Sequence, residues 1–479
     1  MGLAFVPLYI RYLGIEAYGL IGLFAILQAW LGLLDMGMRP ALVREMARFT
    51  AGLHDAQSIR DLLRSAEIIG IATSGLIAFG IWAASGWLAS DWLRAEKLPL
   101  AVVARAFSVM GVVAALSFVE SIYVSSITGL QRQVLQNVVA SIVATVRGLG
   151  AVCVLIWVSP TIWAFFVWQG LVSLISVSLF AGAVYFTLPS APRSARFSWV
   201  ALVSIWRFAT GMMAISLLSL LLTQFDKILL SRLLTLGAFA HYALAGTVAG
   251  SLYMLTGPIS TAFYPRFTEL ATRGDGHELR PVYHQSAQMV TVLVGAAAVV
   301  MVAFSRRILL LWTGDPVLAQ SVAPVMAVLV AGTMIHGLMW MPYHLQLAHG
   351  WTSLAIKVNI VSVAILMPAL FWAVPRYGAI GAAWVWVALN LGYLVFTISF
   401  MHRRLLPTEK WRWYWQDVAV PLACAATIAG LCRWAMPEGL GRLATAGALL
   451  FTSACVLGAA ALAAPLVRYQ LARSLLRRT

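Results

Sequence analysis

The chain is built from long apolar runs separated by short polar connections, and the runs show no alternation of period two. A helix crosses the hydrocarbon core with roughly 20 mainly apolar residues, and only helices and closed barrels leave no backbone group unpaired in lipid. Unalternated runs therefore read as membrane-spanning helices at residues 18–40, 66–88, 100–128, 138–158, 162–188, 207–230, 240–264, 286–304, 318–347, 354–374, 378–401, 417–436 and 443–464. Residues 1–10 form an apolar run too short to span and read as a truncated first helix, bringing the expected count to about 14. Pro258 and Pro342 fall inside two of the runs and should kink them.

Composition strengthens this reading. The chain is 61% hydrophobic and 10% charged, with a mean hydropathy of +0.88, whereas soluble domains carry about 25% charged residues. Connections of at most about 25 residues are too short for a folded domain with its own core, so function must reside among the helices. A formal charge of +16 would suggest nucleic acid in a soluble protein. Here the basic residues sit mostly in connections, about 21 on one side of the expected membrane and about 11 on the other, which makes both termini cytoplasmic. No nucleic-acid partner is expected, and the outer pair Arg306-Arg307 runs against the bias. Trp411-Arg-Trp413-Tyr-Trp415 reads as an aromatic anchor at the interface. Cys153, Cys424, Cys432 and Cys455 lie in apolar runs without metal-type spacing, and no metal site or cofactor is expected.

Two stretches repeat. Tyr18-Gly begins a helix that runs on to Arg39-Pro-Ala-Leu-Val-Arg44-Glu and ends at Gly52. Tyr242 begins another that runs on to Tyr264-Pro-Arg266-Phe-Thr-Glu269 and ends at Gly274. Both are followed by mixed charged and apolar segments, expected to lie as amphipathic helices on the cytoplasmic face. The repeat predicts an all-α membrane protein of two pseudo-symmetric six-helix lobes in one orientation. These are residues 1–188 and 207–401, joined by a cytoplasmic linker at 189–206 and followed by two further helices and a basic tail at 402–479. Transporters built from repeats bind substrate between the halves, so a central cavity is expected.

Three stretches carry a family likeness. They are Tyr12-Leu-Gly-Ile-Glu-Ala-Tyr18-Gly19 with Leu34-Asp35-Met-Gly37 and Arg44-Glu45; Gln224-Phe-Asp226-Lys227-Ile-Leu-Leu-Ser with Tyr242-Ala-Leu-Ala; and Phe263-Tyr-Pro265-Arg266-Phe. In their order the chain resembles the oligosaccharide flippases of the polysaccharide transporter family, in the superfamily that also contains multidrug extruders and lipid II flippases. His241 stands where that family usually has glycine. The resemblance implies a monomeric, multi-pass protein of the bacterial inner membrane. It would flip a polyprenyl diphosphate-linked oligosaccharide to the outer leaflet by alternating access, coupled to protons or sodium. Membrane lipids and polysaccharide polymerase machinery are the implied partners. A multidrug extruder and a lipid II flippase stay open as alternatives, the first disfavoured by the basic balance. A membrane glycosyltransferase or ligase is disfavoured because the chain has neither a sizeable external loop nor an acidic metal motif, and no enzymatic activity is expected.

Charges at membrane depth are the candidate site residues, since each costs roughly 2.5–3.5 kcal/mol on insertion scales unless paired or hydrated. Arg39, Arg207, Arg266 and Lys357 fall near the inner ends of their spans, a basic mouth suited to a diphosphate because guanidinium forks match phosphate oxygens. Ordinary snorkelling of basic side chains is the competing explanation. Asp35, Glu120, Asp226 and Lys227 are the candidates for coupling or gating, and Glu67 is a further deep charge. Glu120 and Arg147 fall at one depth on adjacent antiparallel helices, roughly 14 Å into the membrane, and a direct ion pair is expected between them. Arg147 is thus both a substrate-binding candidate and a structural partner.

Overall fold

In the computed structural model residues 2–52 and 54–476 are described, apart from the side chains of residues 2–3, 204, 207–208, 211 and 471–476. The first half of the chain forms α1 (Gly2–Leu13), α2 (Ile15–Leu31), α3 (Met38–Thr50), α4 (Ala56–Trp87), α5 (Leu100–Gly129), α6 (Gln133–Trp157), α7 (Ile162–Thr187) and α8 (Trp199–Leu233). Then come α9 (Leu236–Gly250), α10 (Tyr253–Arg273), α11 (Gly276–Val290), α12 (Ala296–Ala303), α13 (Ser305–Thr313), α14 (Pro316–Leu338), α15 (Trp340–Ala348), α16 (Ser353–Gly392) and α17 (Ile398–Leu405). The chain closes with the single turn α18 (Lys410–Arg412), α19 (Val420–Ala435), α20 (Arg442–Ala463) and α21 (Pro465–Leu476).

Among the described residues eleven helices are long and apolar enough to cross a membrane. The expected count of about 14 differs for three physical reasons. The first apolar helix is only Ala4–Leu13. The expected span at 240–264 is divided between α9 and α10, where Met254 and Leu255 donate three residues back, to Ser251 and Leu252, ahead of Pro258. The stretch Ser353–Leu405 counts once, yet Gly378 has φ 59° and ψ −141° inside α16. Pro342 has the expected effect: its ring meets the carbonyl of residue 338, and the helix breaks there, between α14 and α15.

The chain divides into two compact units, Met1–Ala240 and His241–Thr479. In the first, α5 packs on α3, α4 and α7, around a core that includes Leu42, Met46, Leu63, Ile122 and Val184. Glu16, 5% exposed, accepts the backbone N–H groups of Glu96, Lys97 and Leu98 at 3.0–3.3 Å. A Cβ on Gly19 would sit 2.9 Å from the Leu236 carbonyl oxygen. Two residues of the Tyr12–Gly19 stretch thereby fix the start of α2 against a loop and the start of α9. The segment after α7 is tied to α4: Asp61 pairs with Arg193 at 2.9 Å and accepts Arg196 N–H at 2.8 Å, while Ser65 Oγ accepts Ser198 N–H.

In the second unit α19 and α20 pack on each other and on α12, around Val292, Phe304, Ala425 and Val456. The two stretches alike in sequence also take similar local courses. α2 gives way to α3 through a tight turn at Gly32–Asp35, α9 to α10 through another at residues 251–252, and the second helix of each pair ends on a left-handed glycine, Gly52 at φ 78° and Gly274 at φ 70°. The aromatic anchor is only partly as expected. Trp411 and Trp415 are exposed, but Trp413 is fully buried beside His402, because the π-helical winding of Trp413–Ala419 turns it inward.

Candidate functional site

In the first unit the charged group at mid-depth stands on α5, α6 and α7. Glu120 Oε2 lies 3.8 Å from Arg147 Nη2, with the two side chains 18% and 30% exposed. Ser176 donates to Glu120 Oε1 at 2.8 Å, and Arg147 Nη2 donates to Ser173 Oγ at 3.4 Å. The serines stand three residues apart on one face of α7 and are fully buried. Helix depth thus anticipated the pair, whereas the serines that complete it come from a third helix. At 3.8 Å the pair is in Coulombic contact without a short hydrogen bond, which leaves guanidinium donors for another acceptor.

The inner-end candidates are held locally. Arg39 stands on the first turn of α3, past the end of α2, and reaches back to Asp35 Oδ2 at 2.5 Å and the Gly32 carbonyl at 2.8 Å. Asp35 also accepts Gly37 N–H at 2.8 Å. Gly37 has φ 78°, and a Cβ there would sit 2.0 Å from the Ala209 carbonyl oxygen, so both the turn and the approach to α8 require glycine. The side chain of Arg207, on α8, lies outside the described residues. Lys227 donates to Gln224 Oε1 at 2.9 Å and to the Thr223 carbonyl at 3.3 Å, while Asp226 is half-buried beside it. Glu67, 2% exposed, accepts Tyr185 OH at 2.7 Å and Arg64 at 3.2 Å.

In the second unit Arg266 bridges Glu269 at 2.7 Å and Glu278 at 2.6 Å, and Glu269 also meets Arg273 at 2.8 Å. The hydrogen bond from Arg266 holds the Glu269 carboxyl below the ordinary glutamate value, against a smaller opposing push from desolvation. The corresponding helix of the first unit carries a similar knot, Glu45 with His54 at 2.7 Å and Arg48 at 3.1 Å. Lys357 has a different setting. Residues on both sides of Gly378 line one groove of about 580 Å³ in which Lys357, Ser362, Leu366, Val385, Tyr393 and Phe396 take part. Its walls are apolar and Lys357 stands near one end, four residues into α16.

One cluster escaped the sequence reading. His284, fully buried, bonds Asp417 through Nδ1 and Glu409 Oε2 through Nε2, the latter at 3.0 Å. Gln288 donates to Asp417 Oδ1 and accepts Leu466 N–H, both at 2.8 Å, so α11, the π-helical turn Trp413–Ala419 ahead of α19 and the start of α21 are tied together. Burial pushes the Glu409 carboxyl up, but His284, Arg412 and Arg280 together outweigh it and hold it below the ordinary value. His284 stands 125 and 133 residues from Glu409 and Asp417, and only the falling of Asp417 within an apolar run marked the cluster in sequence. His336 and His344 lie on opposite sides of the Met339 break, one bonded to Tyr253 and the other to the Trp340 carbonyl. Among the described residues no three His, Cys, Asp or Glu side chains could hold a metal ion.

Comparison with known proteins agrees with this architecture. Residues 9–319 match the family described as polysaccharide biosynthesis protein. A putative O-antigen transporter of Shigella flexneri is 20% identical over 382 residues, covering 78% of this chain and 87% of that protein. The lipid II flippase MurJ in an inward closed conformation superposes with a TM-score of 0.66 at 10% identity, over 95% of both chains. An inward-facing multidrug resistance MATE family transporter of the MOP superfamily gives 0.68 at 13% identity, over 85% of this chain and 94% of that one. The fold is that of these two solved structures, and with a family match across most of its length the chain belongs to the polysaccharide biosynthesis protein family as a multi-pass membrane protein.

Proposed function

We propose that this protein flips a polyprenyl diphosphate-linked oligosaccharide from the cytoplasmic to the outer leaflet of the bacterial inner membrane by alternating access. The observation that carries the reading is the apolar groove between the two parts of α16, with Lys357 near its end. An isoprenoid chain needs a continuous apolar wall, and its diphosphate needs a cation where that wall meets the interface. The family membership and the O-antigen transporter likeness support the glycan as cargo.

Within the first unit, Arg147 is a phosphate-binding candidate in its own right in this reading, and Glu120 the coupling carboxylate. When the diphosphate takes the guanidinium, Glu120 loses its cation and gains a proton or a sodium ion; when the diphosphate leaves, the pair at 3.8 Å re-forms. Arg39 and Arg266 already hold carboxylates at short range, so in this conformation they act as local staples, and binding substrate would require exchange of those partners. The test is the leaflet distribution of lipid-linked glycan in cells lacking the gene. Accumulation on the cytoplasmic leaflet is expected; an unchanged distribution with normal surface polysaccharide would overturn the reading.

A further inference from the structure

Four arginines meet at one end of the second unit. Arg306 and Arg307 on α13, Arg433 near the end of α19 and Arg442 at the start of α20 line one cavity of about 630 Å³, with Glu438 as its acidic residue. Three of them are fixed by backbone carbonyls. Arg433 donates to Ala303 at 2.8 Å, Arg307 to Met436 and Pro437 at 3.2 Å each, and Arg442 to Leu311 at 3.4 Å. Among the described residues none of the four forms an ion pair with a carboxylate. Arg307 Nη1 is buried without a hydrogen-bond partner, an arrangement that burial penalises unless an acceptor arrives.

Topology does not explain this cluster. The helical stretch Gly276–Ala303 carries His284, bound to Glu409, near one end, and Ala303, bound to Arg433, at the other. The 19 residues between them span about 28 Å, the thickness of the hydrocarbon core. The pocket therefore lies on the face opposite Glu409; in the orientation expected from the charge bias of the connections this is the outer face, where the positive-inside rule disfavours arginine. At its lip Trp434 is 88% exposed, which sets the opening at the level of lipid headgroups.

We propose that this pocket binds the phosphate headgroup of an anionic phospholipid from the outer leaflet. Guanidinium forks already oriented by carbonyls suit phosphate oxygens. The cavity of about 630 Å³ is large enough for the two phosphates of a diphosphatidylglycerol. The occupied site joins α13 to the loop between α19 and α20, and it is independent of the groove at Lys357.

The test uses the purified full-length protein in detergent, with added diphosphatidylglycerol, phosphatidylethanolamine or inorganic phosphate, read by retained lipid in native mass spectrometry and by the shift in Tm. Diphosphatidylglycerol should be retained and raise Tm, with the other two additives giving less than a third of that shift. Arg307→Gln with Arg442→Gln should reduce retention at least threefold. Should that double variant not fold, Arg306→Gln, whose side chain carries no structural hydrogen bond among the described residues, should still lower retention. Equal shifts from inorganic phosphate would mean an adventitious ion only and overturn the proposal. So would lipid retention unchanged in the variants, or displacement of the bound lipid by a polyprenyl diphosphate in preference to phospholipid.

Discussion

Glu120 and Arg147 face each other across α5 and α6 at 3.8 Å, with a serine of α7 on each partner. Removing one member strands the other's charge at membrane depth, whereas removing both does not. Arg147→Ala should lower stability by about 1–3 kcal/mol, the range for losing a partner of a charged hydrogen-bonding group, and Glu120→Ala with Arg147→Ala should recover most of the folded yield. Size-exclusion yield in detergent measures both. If the double variant folds normally and transports nothing, Arg147 acts on the substrate; equal loss of yield in the single and double variants would contradict the pairing.

Gly37 and Gly52 separate backbone strain from steric contact. Both have φ 78°, but a Cβ on Gly37 would meet the Ala209 carbonyl at 2.0 Å, while one on Gly52 would meet nothing within 4 Å. Gly52→Ala should cost about 1–2 kcal/mol, the left-handed penalty alone. Gly37→Ala should cost substantially more and sharply reduce the monodisperse fraction. Thermal unfolding of the two variants in one detergent makes the comparison, and equal Tm losses would contradict it.

Acid should loosen the cluster at His284. The folded Glu409 value lies below the ordinary 4.5. Its contribution is therefore fully present above the unfolded value and is lost as pH falls through the folded one. Glu409→Gln should lower Tm at neutral pH and flatten the acid side of the Tm profile, so that variant and wild type converge well below pH 4.5. Parallel profiles at all pH values would contradict the assignment.

Much of this fold was legible because lipid imposes simple rules. Span length and the depth shared by Glu120 and Arg147 follow from counting along helices, and the break near Pro342 from the proline ring itself. What escaped depends on convergence of distant segments. His284 finds Glu409 and Asp417 from 125 and 133 residues away, and Arg306-Arg307 read only as an exception to a charge rule until Arg433 and Arg442 joined them. Trp413 was misplaced because an aromatic run looks alike whichever ring turns inward. For the site, sequence located the charges without showing that Arg39 and Arg266 already hold carboxylates, since such staples depend on rotamers and on turns such as Gly32–Asp35.

The central claim is tested most directly by flipping in reconstituted vesicles. A polyprenyl diphosphate glycan carrying a fluorescent sugar is loaded into both leaflets, and a membrane-impermeant reductant quenches whatever reaches the outside. Vesicles with the wild-type protein should lose fluorescence beyond the initial outer half, and Lys357→Ala should slow that loss about tenfold, equivalent to about 1.4 kcal/mol. A protected fraction equal to that of protein-free vesicles under an imposed proton or sodium gradient would contradict the account.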